Sequence, residues 1–242
     1  MNITLSNKTI LITGGTGALG RAFVESACKE GAQVFFTYFR HSEEAKRLET
    51  LGAKGFHVDL AQRSEIDRLV RDLSACTMEL DAVIHNAAIV RDKTLANLST
   101  EDWDEVLAVN LDAVYYLTKQ LLPIITRKPG AKILNIVSRV GLRGNFGQVN
   151  YAAAKGGLIA LTKTLAKELG RKGILVNGLN PGFMKSELTK GLPEDVIERN
   201  VKESPLRTIS DPKEVSDFLI YLLSDHVQHV TGQIFHYDSR SV

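Results

Sequence analysis

Residues 9–20 read "TILITGGTGALG", and the reading of this stretch decides the fold. Thr9–Thr13 is an apolar, β-branched run bounded by glycine, which predicts a short buried strand. Glycines at 14, 15, 17 and 20 follow it directly, and a helical pattern begins near residue 18. Gly15, Gly17 and Gly20 satisfy G-x-G-x-x-G. Such a turn needs positive backbone angles, and its backbone must approach a pyrophosphate at a helix N-terminus. The glycine pattern alone is weak; its place between a strand and a helix gives it force.

Outward from this loop, short apolar runs alternate with longer helical patterns. Strands are expected at 9–13, 33–38, 55–58, 82–85, 132–137, 174–179 and 233–237. Helices are expected near 18–30, 42–51, 62–74, 100–127, 150–170 and 212–223. This alternation predicts right-handed βαβ crossovers and an α/β, doubly wound parallel sheet. A length of 242 residues suits one large domain, spanning 1–242. From Asn180 to about Leu206 the chain turns polar and carries three prolines, which marks 184–210 as a lid or binding segment.

Composition removes whole classes of function. Thirty Lys and Arg against 28 Asp and Glu leave a formal charge of +2, which is no signature of a nucleic-acid or membrane-surface protein. Hydrophobic residues make up 44%, enough for a sizeable core. No apolar run is long enough to span a bilayer. Cys28 and Cys76 fall in separate helical patterns and suggest a reducing cytoplasm, not a disulfide framework. No metal site is expected.

The chemistry gathers around "NYAAAKGG" (150–157). Tyr151 and Lys155 stand at i and i+4, on one helical face. A phenol there can protonate the oxygen of a carbonyl that receives hydride. Its ordinary pKa is near ~10, so a neighbouring ammonium in a dry cleft would favour ionisation. By spacing alone an incidental surface pair is the more common case. Ser138 ends the strand "KILNIVS", where its hydroxyl can hold a carbonyl. Asn110 occupies the missing place in an apolar stripe of Trp103, Leu107, Val114, Leu117 and Leu121. It either holds backbone or a water near Lys155, or it is a satisfied core amide. Asp59 and Asn86 follow strands at the edge where open α/β sheets bind ligands. Arg40 lies after the second strand with no acid before Glu43, which favours NADP over NAD. An ordinary solvated arginine is the alternative.

Taken together, "TGGTGALG", "HNAA", Asn110, Ser138, "YAAAK" and "NPG" resemble the short-chain dehydrogenase/reductase family from about Lys8 to Asp238. Within it the chain is most similar to the 3-oxoacyl-[acyl-carrier-protein] reductases. The resemblance implies a single-domain Rossmann-type sheet of about seven strands, ordered 3-2-1-4-5-6-7, with helices on both faces. It makes Tyr151 the general acid. Lys155 would lower its pKa and bind the nicotinamide ribose, Ser138 would orient the carbonyl, and Asn110 would hold a relay water. NADPH would contact Gly14, Gly15, Thr16, Gly17, Leu19, Gly20, Arg40, Asp59, Leu60, Asn86, Ala87, Ala88, Tyr151, Lys155, Pro181, Gly182 and Met184. The implied substrate is a 3-oxoacyl thioester on an acidic carrier protein or coenzyme A. Arg127, Lys128, Lys132, Arg171 and Lys172 are candidate docking cations. The implied assembly is a homotetramer or dimer through helices 100–127 and 150–170.

Three departures from the family pattern stand out. Ala18 replaces the middle glycine of the loop, and Gly17, one residue earlier, is expected to restore the turn. His85-Asn86-Ala87-Ala88 replaces Asn-Asn-Ala-Gly, which is expected to tighten the space beneath the cofactor. Asp238-Ser239-Arg240 replaces Asp-Gly-Gly. Another carbonyl or alcohol substrate (a sugar, polyol or steroid) and a non-catalytic NADP-binding regulator are the alternatives. Gly156 and Gly157 are expected to let cofactor and a neighbouring helix approach closely.

Overall fold

Seven parallel strands form one sheet in the order β3-β2-β1-β4-β5-β6-β7. The computed structural model describes residues 3–125, 130–187 and 189–240. The strands are β1 (Thr9–Ile12), β2 (Gln33–Tyr38), β3 (Lys54–His57), β4 (Ala82–His85), β5 (Ala131–Ile136), β6 (Ile174–Asn180) and β7 (Ile234–His236). The helices are α1 (Ala18–Lys29), α2 (Ser42–Glu49), α3 (Arg63–Ser74), α4 (Thr100–Leu107), α5 (Ala113–Leu121), α6 (Val140–Arg143), α7 (Val149–Gly170), α8 (Glu194–Glu203) and α9 (Pro212–Leu223). The order reverses between β1 and β4, so their carboxyl ends flank the crevice where open α/β sheets take ligands.

Alternation along the strands builds the two cores. Ile10 and Ile12 of β1, with Val34 and Phe36 of β2, pack with Phe23, Val24, Leu219 and Leu223 on the α1 and α9 side. Leu11 and Phe35 point the other way, into a layer with Ile66, Leu69, Leu117, Leu121 and Leu169. Both faces are covered, which is why these strands read as continuous apolar runs.

The expected helix 100–127 is in fact interrupted. Residues Ala108–Asp112 form a π-helical turn between α4 and α5, and α5 ends at Leu121. Two elements were not foreseen: the short α6, and α8 inside the polar excursion. No residue of α8 is fully buried, and its apolar face is only Val196, Ile197 and Val201, a weak pattern to read.

Lys132 overturns its expected role as a docking cation. It lies in β5 and is only 4% exposed. Its ammonium donates to the carbonyls of Leu222 (2.9 Å) and Ser224 (2.6 Å) at the end of α9. Burial pulls its pKa down to about 8. The cation meets the negative end of a helix, a structural use of charge. Arg171 and Lys172 are exposed; Arg127 and Lys128 lie outside the described residues.

Candidate active site

The glycine loop divides its labour unevenly. Gly14 alone of its four glycines has a positive φ, at 68°. A Cβ on Gly15 would lie 2.6 Å from the Phe36 side chain, and one on Gly20 would lie 2.2 Å from the Gly14 carbonyl oxygen. Gly17 has φ −72° and needs no such exemption. The expectation that Gly17 restores the turn for Ala18 therefore fails. Gly14 makes the turn, and Ala18 opens α1 in ordinary helical backbone.

Three short strand-end side chains brace this loop. Thr13 Oγ accepts from the backbone N–H groups of Asn86 and Ala87, both at 3.0 Å. Asn86 donates back to the carbonyls of Thr13 (2.9 Å) and Gly14 (3.1 Å). Thr37 Oγ accepts from Gly14 N–H at 3.2 Å. His85 turns away from this region: its buried ring is hydrogen-bonded to Thr118 at 2.8 Å. Burial drives its pKa down to about 3, so it is a neutral core residue.

The other expected cofactor contacts line the same edge. Thr16 donates to the carbonyl of Arg40, whose side chain is exposed. Asp59 Oδ1 accepts from Ala61 N–H at 2.9 Å, beside buried Leu60. Gly182 has φ 81°, and a Cβ there would lie 2.3 Å from Ser210 Oγ. Pro181 is buried and Met184 partly so, and Ala88 lies just beyond Ala87. A cavity of about 360 Å³ between this segment and the C-terminal residues, lined by Phe183, Leu206, His236 and Arg240, does not include Ser138 or Tyr151.

Ser138 and Tyr151 are brought together. Burial raises the Tyr151 phenol pKa to about 12 against a smaller lowering by the Ser138 hydroxyl, so the lowering expected from Lys155 does not set its value. Lys155 lies below, 2% exposed, with its ammonium 5.8 Å from the Tyr151 ring centroid. Burial lowers the Lys155 pKa to about 8. Its ammonium donates to Ile136 O at 2.7 Å, and no other protein acceptor is within reach among the described residues. The protein thus presents a protonated phenol, a hydroxyl beside it and a buried cation with protons to spare.

Asn110 is fully buried and its amide pairs with backbone. Oδ1 accepts from Ile89 N–H (2.9 Å) and Nδ2 donates to Ile89 O (2.8 Å). The side chain therefore holds backbone, one of the roles expected of it. Asn150, missed in the sequence, does related work: it donates to Arg91 O (3.2 Å) and Asp102 O (3.3 Å), and accepts from Tyr151 N–H (2.8 Å). Gln148 donates to Asp92 at 2.7 Å. Three amides thus strap residues 89–92 across the first turn of α7. A run of polar residues ahead of Tyr151 was the available signal, but amides before a helix usually read as caps.

The paired glycines serve packing within the chain. A Cβ on Gly156 would approach Gly141 O of α6 at 3.1 Å, and one on Gly157 would lie 2.9 Å from Leu111 in the π-helical turn.

Comparison with known proteins agrees with this geometry. The family model described as Enoyl-(Acyl carrier protein) reductase matches residues 15–239. The 3-oxoacyl-[acyl-carrier-protein] reductase FabG of Aquifex aeolicus is 34% identical, covering 98% of each chain. That of Thermotoga maritima is 35% identical, covering 97% of each. A solved short-chain dehydrogenase/reductase from Serratia marcescens superposes with a TM-score of 0.91 at 25% identity, over 98% of each chain. The chain belongs to the short-chain dehydrogenase/reductase family. A second solved structure, the Pseudomonas aeruginosa RhlG/NADP active-site complex, matches with TM-score 0.91 and 25% identity, over 99% of this chain and 98% of that one.

Proposed function

We propose that this short-chain dehydrogenase/reductase reduces a 3-oxoacyl thioester, carried on acyl carrier protein or coenzyme A, to the 3-hydroxyacyl thioester with NADPH. The observation that carries the reading is the Ser138–Tyr151 hydroxyl pair beside buried Lys155, at the carboxyl edge of the sheet. The relatives named above, reductases of 3-oxoacyl groups on acyl carrier protein, support the substrate class.

The residues fit a dinucleotide. Side chains are excluded from Gly15 and Gly20 by contacts under 3 Å, which keeps the loop backbone bare. The first turn of α1 already holds an anionic group, since Ala18 N–H donates to the Glu187 carboxylate at 3.3 Å. Gly14–Gly20 would hold the pyrophosphate, Arg40 the 2′-phosphate, Asp59 and Leu60 the adenine end, and Asn86–Ala88 with Pro181–Met184 the nicotinamide end. Lys155 would hold ribose hydroxyls with its remaining protons. NADPH supplies the hydride when bound. Ser138 donates to the substrate carbonyl oxygen and fixes its direction, and Tyr151 passes its proton to that oxygen as charge develops. A phenol held protonated by burial is in the form that a proton donor requires, and the adjacent ammonium stabilises the phenolate left behind.

We assign 184–210 to the substrate, with carrier protein docking at Arg171, Lys172 and the neighbouring cations. We also infer a cytoplasmic homotetramer packed through α4, α5 and α7; Tyr115 of α5 is 49% exposed. A second reading follows from the family model's own description: reduction of an enoyl thioester. The test is NADPH oxidation with acetoacetyl and crotonyl thioesters of carrier protein and coenzyme A, beside free ketones, sugars and steroids. Turnover of acetoacetyl thioesters in preference to the rest is expected. Preference for crotonyl thioesters would favour the second reading, and preference for a free ketone would refute both.

A further inference from the structure

Helix α8 has no fully buried residue, so the core does not hold it in place. Side chains from two distant parts of the chain grip its carboxyl end instead. Arg139, directly after Ser138, donates to Glu203, the last residue of α8, at 2.7 Å. From the C-terminal segment, Arg240 donates to Asn200 at 2.5 Å. The hydroxyls of Ser204 and Ser239 are also hydrogen-bonded.

The two grips differ in strength. Arg240 forms a forked pair with Asp238, Nε to Oδ1 at 2.8 Å and Nη2 to Oδ2 at 2.6 Å. Side-chain exposures there are 9% and 5%, so water screens this pair little. The Arg240 guanidinium also lies 5.9 Å from the Phe183 ring, tying it to the Pro181–Met184 segment. Arg139 and Glu203 are 20% and 45% exposed, so their pair is weak and can open. Ser239 and Arg240 are the residues that depart from the family's Asp-Gly-Gly, a pattern with no side chains able to make either contact.

We propose that Arg139 and Arg240 are positioning residues that hold the carboxyl end of α8 beside Ser138, and that this hold governs which thioesters reach Tyr151. The Arg240 side is the fixed anchor and the Arg139–Glu203 pair is the clasp. The proposal rests on the assignment of 184–210 to the substrate.

Arg139→Ala and Glu203→Ala should each raise KM for acetoacetyl-carrier protein about five-fold, the equivalent of ~1 kcal/mol for a part-exposed ion pair, while kcat falls less than about two-fold. The exchange Arg139→Glu with Glu203→Arg should restore KM. Arg240→Ala should raise KM further. A second readout needs no substrate: trypsin should cut at Lys185, Lys190, Arg199 and Lys202 at least about three-fold faster in Arg240→Ala than in the native chain. Faster cleavage in a protein that turns over no thioester would uphold the clasp and refute the assigned reaction. Normal turnover with KM and cleavage unchanged in all variants, or an exchange that restores nothing, would overturn the clasp.

Discussion

Alanine at Gly20 and alanine at Gly17 should have unequal consequences, although both glycines belong to the same motif. At Gly20 the added Cβ would meet the Gly14 carbonyl oxygen at 2.2 Å and Gly15 Cα at 2.8 Å. Both obstacles are backbone, held by Asn86 and Thr37, so neither can swing aside. Overpacking of this kind costs about 1–3 kcal/mol. The gain in helix propensity, about 1 kcal/mol, offsets part of it. A net loss of about 1–2 kcal/mol lowers Tm by roughly 2–8 °C in a chain of this size. At Gly17 the nearest atom to the new Cβ is 3.5 Å away, an ordinary contact. Alanine is a poorer cap than glycine, while its stiffer unfolded chain stabilises by a similar amount, so the net change is within about 0.5 kcal/mol. Thermal unfolding of both cofactor-free variants decides the matter. Equal destabilisation by the two substitutions, or a stable Gly20→Ala, would refute the steric reading of the loop.

Asn110→Leu should cost about 2–4 kcal/mol in urea unfolding, because both Ile89 backbone groups lose their partner in a buried site. A loss below about 1 kcal/mol would show that the strap does not depend on this amide. Arg40→Ala should erase most of the preference for NADPH over NADH in equilibrium binding, and unchanged discrimination would return Arg40 to the solvated surface. Lys155 links stability to pH. Its native pKa is about 8 against an ordinary 10.5, so between these values the unfolded chain binds more protons than the native one. Stability contributed through this group therefore rises with pH across that window. Urea midpoints from pH 8 to 10 should climb less steeply in Lys155→Met than in the native chain; equal slopes would contradict the burial of a charged ammonium.

Much of this arrangement was legible before the structure. All seven strands and six helical segments were expected, because parallel strands covered on both faces announce themselves as apolar runs. Three features escaped, each for a physical reason. The π-helical turn at Ala108–Asp112 hides inside an apolar stripe interrupted only at Asn110, since one extra residue per turn barely shifts a stripe that wide. α8 carries only Val196, Ile197 and Val201 as apolar residues, a face too narrow to stand out inside a polar excursion. Lys132 read as a surface charge because lysines rarely occupy strand cores; the acceptors that permit it come from α9, ninety residues away in sequence. At the site, Ser138, Tyr151 and Lys155 were singled out by their resemblance to the family's motifs, since spacing alone favours an incidental surface pair. Thr13, Gln148 and Asn150 were not, since their partners, backbone groups for Thr13 and Asn150 and the Asp92 carboxylate for Gln148, are brought close only by folding.

The measurement that bears most directly on the proposed chemistry is the turnover of Tyr151→Phe with acetoacetyl-carrier protein and NADPH, beside its affinity for NADPH. Phenylalanine keeps the ring above Lys155 and removes only the hydroxyl that Ser138 touches. Loss of the proton donor should lower kcat by roughly 10²–10⁴-fold while NADPH binding changes less than about three-fold. A Tyr151→Phe enzyme retaining more than about a tenth of native kcat would show that the proton comes from elsewhere and would contradict the account.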